Sequence, residues 1–263
     1  MEHVLSTWQL AATAVLVVAS AGLSLWMQMG IARPLLVAAA RTVVQLLLVG
    51  LVLKQLFANQ SPWLTVLVMV AMLGAAGYET FSRQDRRFAG GTAVALASLP
   101  IAIASVIVTG FALATLRPEH WLSPQVAIPL LGIVLGNAMS SASVTLNTFT
   151  GMLVRERAAV EAQLALGATR YTALAPLQRS AARNGMIPII NQMAAAGVIT
   201  LPGMMTGQIL AGMPPFEAAK YQVFVLFLLA GAAALAVAAT SYAAAWRATD
   251  ARHRLRLDRL RST

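Results

Sequence analysis

Apolar residues run through this chain in long blocks, separated by short polar interruptions. Seven blocks approach or exceed the roughly 20 residues that an α-helix needs to cross a bilayer. They are Trp8–Met29, Leu35–Phe57, Pro62–Tyr78, Ala89–Leu113, Val126–Phe149, Met186–Leu210 and Ala219–Trp246. Trp8, Trp26 and Trp63 stand near block ends, where an interfacial aromatic belt belongs. Pro100 is expected to interrupt the fourth block, and a helix broken at Pro202-Gly203 is expected in the sixth. The alanine-rich run Ala230–Ala245 reads as close helix packing through small residues.

One polar interruption is longer than the rest. Arg155–Pro188 reads RERAAVEAQLALGATRYTALAPLQRSAARNGMIP and carries Arg155, Arg157, Arg170, Arg179 and Arg183. Its pattern predicts a short amphipathic helix, a break at Gly167, and a second helix starting from an N-cap near Thr169. Such a unit can lie on the membrane surface or present a stiff face to a partner outside the bilayer.

Composition agrees with the blocks. The chain has 263 residues, 59% hydrophobic and 11% charged, with mean hydropathy +0.73. A soluble core of this size cannot absorb so much apolar surface, so the expected class is an all-α polytopic membrane protein with about seven transmembrane helices. The net charge of +10 sets topology rather than a nucleic-acid interface. Fifteen of the nineteen basic residues fall on one side of the seven-span arrangement: Arg33, the loop after span three, the stretch after span five and the tail 247–263. That side is expected to be cytoplasmic, with the N-terminus outside and the C-terminus inside. The N-terminal segment has no Lys or Arg before its apolar run, so it reads as a first span rather than a cleaved signal.

The candidate chemistry is sparse. There is no cysteine, which removes disulfides and thiolate metal sites. The histidines are His3, His120 and His253, none of them mid-membrane, and no Asp or Glu is central in spans five to seven. Tight iron or zinc sites use such ligands, so the residues point to a weak, transient metal site or to a substrate that is not a bare cation. Span five carries Asn137, Met139, Ser140, Ser141, Thr145 and Asn147. Asn137, Ser141 and Thr145 share one helical stripe, and Ser140, Val144 and Asn147 make a neighbouring one. Either helix packing or a translocation pathway accounts for them. Span six adds Asn191, Gln192, Pro202, Gly203, Met204 and Met205, where the methionines are either adaptable packing or soft-metal contacts. Arg41, one turn from Gln45, either snorkels to the interface or pairs, with Glu79 a candidate.

No Gly-x-x-x-x-Gly-Lys-(Ser/Thr) occurs, so the chain carries no phosphate-cradling loop of its own. Nor is there a nucleophile–base pairing that would suggest an enzyme. The order Glu161-Ala162 followed by Gly167 resembles the cytoplasmic EAA loop of ABC transporter permeases, although Gln163 replaces the second alanine and the downstream Ile-x-Leu-Pro is absent. Further segments resemble the iron-export permease family of FetB, which includes plant membrane subunits of aluminium tolerance. They are Arg41-x-x-x-Gln45-Leu46, Gly136-Asn137-Ala138-Met139, Leu166-Gly167-Ala168-Thr169, Leu201-Pro202-Gly203-Met204-Met205-Thr206-Gly207, Ala211-Gly212 and Lys220-Tyr221-Gln222.

This resemblance implies a single permease domain over 1–263, with a cytoplasmic coupling stretch at 151–185. It implies a separate ABC-type ATPase of the FetA kind, which would bind the ATP and Mg, and a permease homodimer in the inner membrane. The ATPase would dock on Glu161, Ala162, Leu166, Gly167, Ala168 and Thr169, with Tyr171–Asn184 as a lever into span six. Export follows, with iron the family's proposed bacterial substrate. A proton-coupled carrier is the rival reading, but it needs an intramembrane acid or histidine relay that the spans lack. An ABC permease for a non-metal substrate and a membrane scaffold without transport also fit the apolar pattern.

Overall fold

The computed structural model describes residues 6–59, 61–84, 86–89, 92–118, 121–250 and 252–262. It divides into two compact units, 1–60 and 61–263.

The first unit is a pair of helices, α1 (Thr7–Trp26) and α2 (Ala32–Asn59). A capping box starts α1: the Ser6 hydroxyl accepts from the Gln9 N–H at 3.3 Å, and the Gln9 side chain accepts from the Ser6 N–H at 2.9 Å. The turn between the helices is held by Ser24, whose hydroxyl accepts from the Ile31 N–H at 3.3 Å. Pro34 falls in the first turn of α2, where its missing N–H costs nothing, so the helix starts three residues earlier than the apolar block.

The second unit holds α3 (Pro62–Ser82), β1 (Arg86–Phe88), α4 (Thr92–Leu116), α5 (Pro124–Arg155), α6 (Arg157–Ala165), α7 (Arg170–Ala195), α8 (Gly203–Leu210), α9 (Pro215–Ala248) and β2 (Leu260–Ser262). At its centre α5 packs against α9, α7, α4 and α3, and α9 packs against α4 and α7 as well. The alanine-rich run explains the closeness. Ala232, Ala236, Thr240, Ala244 and Ala248 recur every four residues on α9, and all five are fully buried. Small side chains at that spacing let neighbouring backbones approach, which is how helices gain contact where lipid is as apolar as they are. One buried cluster includes Ile101, Val134 and Ala232; a second joins Leu146, Phe149, Leu153, Val160, Leu174 and Leu177 near the end of α5.

Among the described residues six helices are long and apolar enough to cross a membrane: α1, α2, α3, α4, α5 and α9. The sixth apolar block is not a single helix. Its first half is the end of α7, which begins at Arg170 and runs unbroken through Pro176 and Pro188. The helix stops at Ala195, and a turn follows in which the Ala195 carbonyl accepts from the N–H groups of Ile199 (2.9 Å) and Thr200 (3.0 Å). Thus the break begins at Ala196, well before Pro202, which itself caps α8. Pro100 does not interrupt the fourth block: α4 continues through it, clamped by α3, α5 and α9.

The short antiparallel pair β1–β2 has no counterpart in the apolar pattern. Arg86 pairs with Ser262, Arg87 with Arg261 and Phe88 with Leu260. Phe88 is buried in the second cluster and anchors the pair.

Candidate functional site

The polar interruption folds as a helix, a glycine turn and a helix. Val160, 2% exposed, and half-buried Leu164 fasten α6 to the second cluster. Arg157 and Glu161 form an i, i+4 ion pair at 2.8 Å along its exposed side. The helix closes with two hydrogen bonds: the Gly167 N–H donates to the Leu164 carbonyl at 3.1 Å, and the Ala168 N–H to the Gln163 carbonyl at 3.0 Å. That is the Schellman arrangement, and it requires a left-handed residue after the cap. Gly167, at φ +89°, supplies it. Thr169 then caps α7, accepting from the Thr172 N–H at 3.3 Å. Two capped ends so close together make a stiff corner. At its tip Leu166 is 88% exposed, and Glu161, Ala162, Gly167 and Thr169 are exposed beside it, with Ala168 half-buried.

The polar residues of α5 separate by face. Ser141 and Thr145 are fully buried beneath Gly185 of α7. A Cβ at Gly185 would collide with the Thr145 hydroxyl and lie 3.0 Å from the Ser141 carbonyl and from Val237 of α9. This stripe therefore forms a three-helix crossing. The Thr145 hydroxyl donates to the Ser141 carbonyl at 2.8 Å, while the Ser141 hydroxyl is buried with no hydrogen-bond partner among the described residues. Asn137 and Met139 are half-buried, and Ser140 is exposed, donating to the Gly136 carbonyl at 3.0 Å.

Asn147 lies lower on the same helix, lining a cavity of about 280 Å³ with Thr150, Gly151, Arg155 and Arg86. Asn191 and Gln192 are exposed on the last turns of α7. Met204 and Met205 are half-buried on α8, which packs on α9; Pro202 and Gly203 form its start. Apart from Asn137, Met139 and Ser140, which lie earlier on α5, the pathway candidates fall in three places: the α5–α7 crossing, the cavity at the end of α5, and the α7–α8 break.

Arg41 and Gln45 are exposed on α2 in the first unit. In the second, Glu79 holds Arg83, the residue that caps the end of α3, at 2.8 Å. His3 and His120 lie outside the described residues. Among the described residues no group of three or more His, Cys, Asp or Glu side chains is placed to hold a metal ion.

In the sequence, Arg86 and Arg155 read only as topology charges. Their convergence on one cavity depends on the β1–β2 pairing, which hydropathy does not report. An open groove of about 590 Å³ between α7 and α9, lined in part by Tyr171, Gln178, Arg179 and Tyr242, is equally invisible to it.

Apolar helices of this length and number, packed through small residues, define a multi-pass helical membrane protein. A family model described as "Uncharacterised protein family (UPF0014)" matches residues 7–248, and the chain belongs to that family. The "UPF0014 membrane protein slr1647" of Synechocystis is 36% identical over 205 residues, 78% of each chain. The "Probable iron export permease protein FetB" of Escherichia coli is 30% identical over 262 residues, 99% of this chain and 98% of that one. "Protein ALUMINUM SENSITIVE 3" of Arabidopsis thaliana is 30% identical over 232 residues, 88% of this chain and 83% of that one. No solved structure matches the chain.

Proposed function

We propose that this chain is the membrane permease subunit of an ABC transporter in the inner membrane, exporting a metal ion, with iron the first candidate. The observation that carries the reading is the full-length similarity to FetB, which is named as a probable iron export permease. The α6–α7 corner supports the ABC part: a stiff, exposed, capped helix–turn–helix is the shape a separate ATPase can grip. The ATPase docks on Glu161, Ala162, Leu166, Gly167, Ala168 and Thr169 and supplies the bound ATP and Mg. Because α7 runs from that corner to the break at Ala196, a displacement of the corner travels along one helix into the segment that carries Pro202, Gly203, Met204 and Met205. Two permease chains complete the transporter, with the α6–α7 corner, the loop after α3 and the basic tail in the cytoplasm.

Iron is cargo here, and its contacts are transient ones. Asn137, Asn191, Gln192 and the methionines of α8 offer amide and thioether groups, which release a cation more readily than a carboxylate cage does. Cellular iron in strains with and without the permease–ATPase pair tests the substrate. Deletion should raise iron content and sensitivity to added iron. Unchanged iron with altered content of another solute would leave an ABC permease for a different cargo. Transport that persists without any ATPase and follows a proton gradient would replace this reading with a secondary carrier.

A further inference from the structure

We propose that Arg86 and Arg155 form a binding site for a phosphate group at the end of α5. The proposal rests on the membrane fold alone and stands apart from the transport reading.

Side chains alternate along β1. Phe88 is buried in the second cluster, so Arg86, two residues earlier, turns to the same side, toward α5. Arg87 turns the other way, its guanidinium 5.3 Å from the Phe81 ring centre and its Nη2 donating to the Ser82 carbonyl at 2.6 Å. Pairing with β2 fixes the strand that carries Arg86. As a result Nη1 of Arg86 is shut off from solvent and has no hydrogen-bond partner among the described residues. A buried cationic donor without an acceptor is costly. Arg86 also lines a small cavity, and a turn of its guanidinium would bring Nη1 to an acceptor bound there. The cavity of about 280 Å³ beside it is lined by Asn147, Thr150, Gly151 and Arg155, and no acidic side chain among the described residues lines it.

Arg83, Arg157 and Arg256 each hold a carboxylate at 2.8 Å, whereas neither Arg86 nor Arg155 has an ion pair among the described residues. Two arginines, one half-buried and one exposed, lining one small cavity with no acidic neighbour among the described residues call for an oxyanion, and the planar fork of arginine suits phosphate oxygens. The cavity falls just short of the roughly 300 Å³ at which pockets for drug-sized ligands begin. It therefore suits a single phosphate rather than a whole nucleotide. Its place at the end of a membrane-crossing helix is where basic pockets take lipid head groups. A phospholipid and free phosphate share this chemistry.

The test uses the full-length chain purified in detergent. Native mass spectrometry would follow binding of phosphatidylglycerol, with diacylglycerol as the phosphate-free lipid, and inorganic phosphate would be titrated separately. Arg86→Gln should bind phosphate-bearing ligand about tenfold more weakly, the loss expected for a hydrogen bond to a charged group. Gly151→Leu should do the same while keeping both arginines and the strand pair, since a Cβ at Gly151 meets no atom within 4 Å and the larger side chain can occupy the cavity. Arg252→Gln removes the same charge from the exposed tail and should leave binding unchanged. Variant-sensitive binding of phosphatidylglycerol identifies a lipid head group; variant-sensitive binding of inorganic phosphate alone identifies a free-phosphate site. Diacylglycerol bound as tightly as phosphatidylglycerol excludes the lipid head group, and the proposal is overturned if Arg86→Gln and Gly151→Leu bind both phosphatidylglycerol and inorganic phosphate like the parent chain.

Discussion

The backbone N–H of Arg170 donates to Nδ1 of His253 across 3.1 Å. One of the four unpaired N–H groups at the start of α7 is thereby satisfied by the C-terminal tail, 83 residues away in the chain. The tail makes more such ties. The Arg256 N–H donates to the Ala248 carbonyl at 2.8 Å, and Nη1 of Arg259 donates to the Arg247 carbonyl at 3.1 Å. Nη2 of Arg247 in turn donates to the Ala89 carbonyl at 2.7 Å. With the β1–β2 pair, these bonds join the end of α9, the loop before α4 and the start of α7. A segment that reads as a topology signal is also a strap across three polar segments.

His253→Ala should loosen that strap at one point. Amide exchange at Arg170–Ala173 should rise by roughly three- to tenfold, the range for one net hydrogen bond, while exchange in α5 and α9 stays the same. Equal protection at Arg170 in both proteins would mean that the tail does not hold α7 in solution.

Acid should loosen the strap as a whole. Asp250 accepts from the N–H groups of Arg254 (2.8 Å) and Arg252 (2.9 Å). The Arg254 N–H is the main cause holding its carboxyl below the ordinary value; desolvation opposes this, and the Arg252 N–H and the charges of Arg254 and Arg256 assist. Asp258 is lowered as well, chiefly by its hydrogen bond from Arg256. A depressed carboxylate stabilises the folded tail above its unfolded value, about pH 4, and that contribution fades as pH falls through the folded value. Exchange of the Arg252 and Arg254 amides, corrected for intrinsic rates, should therefore rise below about pH 4. Asp250→Asn should weaken this pH dependence, with Asp258 accounting for what is left. A rise centred near neutral pH would assign the titration to another group.

Legibility in the sequence followed the physics of each feature. The membrane class and α1–α5 and α9 were readable because lipid demands long apolar helices, and length with hydropathy reports them directly. The α6–α7 corner was readable because Gly167 and Thr169 are local signals for a left-handed cap and an N-cap. By contrast, the sixth block misled: α7 carries charge at Arg170, Arg179 and Arg183 and apolar residues after Met186, so composition split one helix in two. Pro100 misled because a proline rule for isolated helices takes no account of the neighbours packed around α4, which continues through it. The β1–β2 pair, and with it the Arg86 cavity, was hidden because three-residue strands far apart in the chain leave no periodicity to detect. The Ser141–Thr145 stripe was visible as polar, but its partner Gly185 is a tertiary fact.

That stripe gives a direct stability test. With the Thr145 hydroxyl already against Gly185, Gly185→Ala should destabilise the chain by about 1–3 kcal/mol, the usual cost of overpacking. Removing the hydroxyl should relieve it: Gly185→Ala with Thr145→Ala should lose less than the two single changes combined. Thermal unfolding in detergent reads both. Strict additivity would show that the two residues do not share a crossing.

Leu166 separates docking from folding. Its side chain is 88% exposed at the corner, so Leu166→Asp removes almost no packing and should leave helical content and melting temperature unchanged. If the corner enters a cleft on the ATPase, the leucine becomes buried on binding, and fully burying such a side chain is worth about 1.5–3 kcal/mol. Placing a carboxylate there should weaken association by roughly tenfold or more. Gly167→Val acts differently, because φ +89° is strained for a β-branched residue, so it should lower both the melting temperature and ATPase association. Co-purification of the ATPase with tagged permease would read the first effect, and unfolding curves the second. An ATPase retained in full by Leu166→Asp would move the docking surface away from the corner. One lost together with the fold in both variants would leave the corner a structural element.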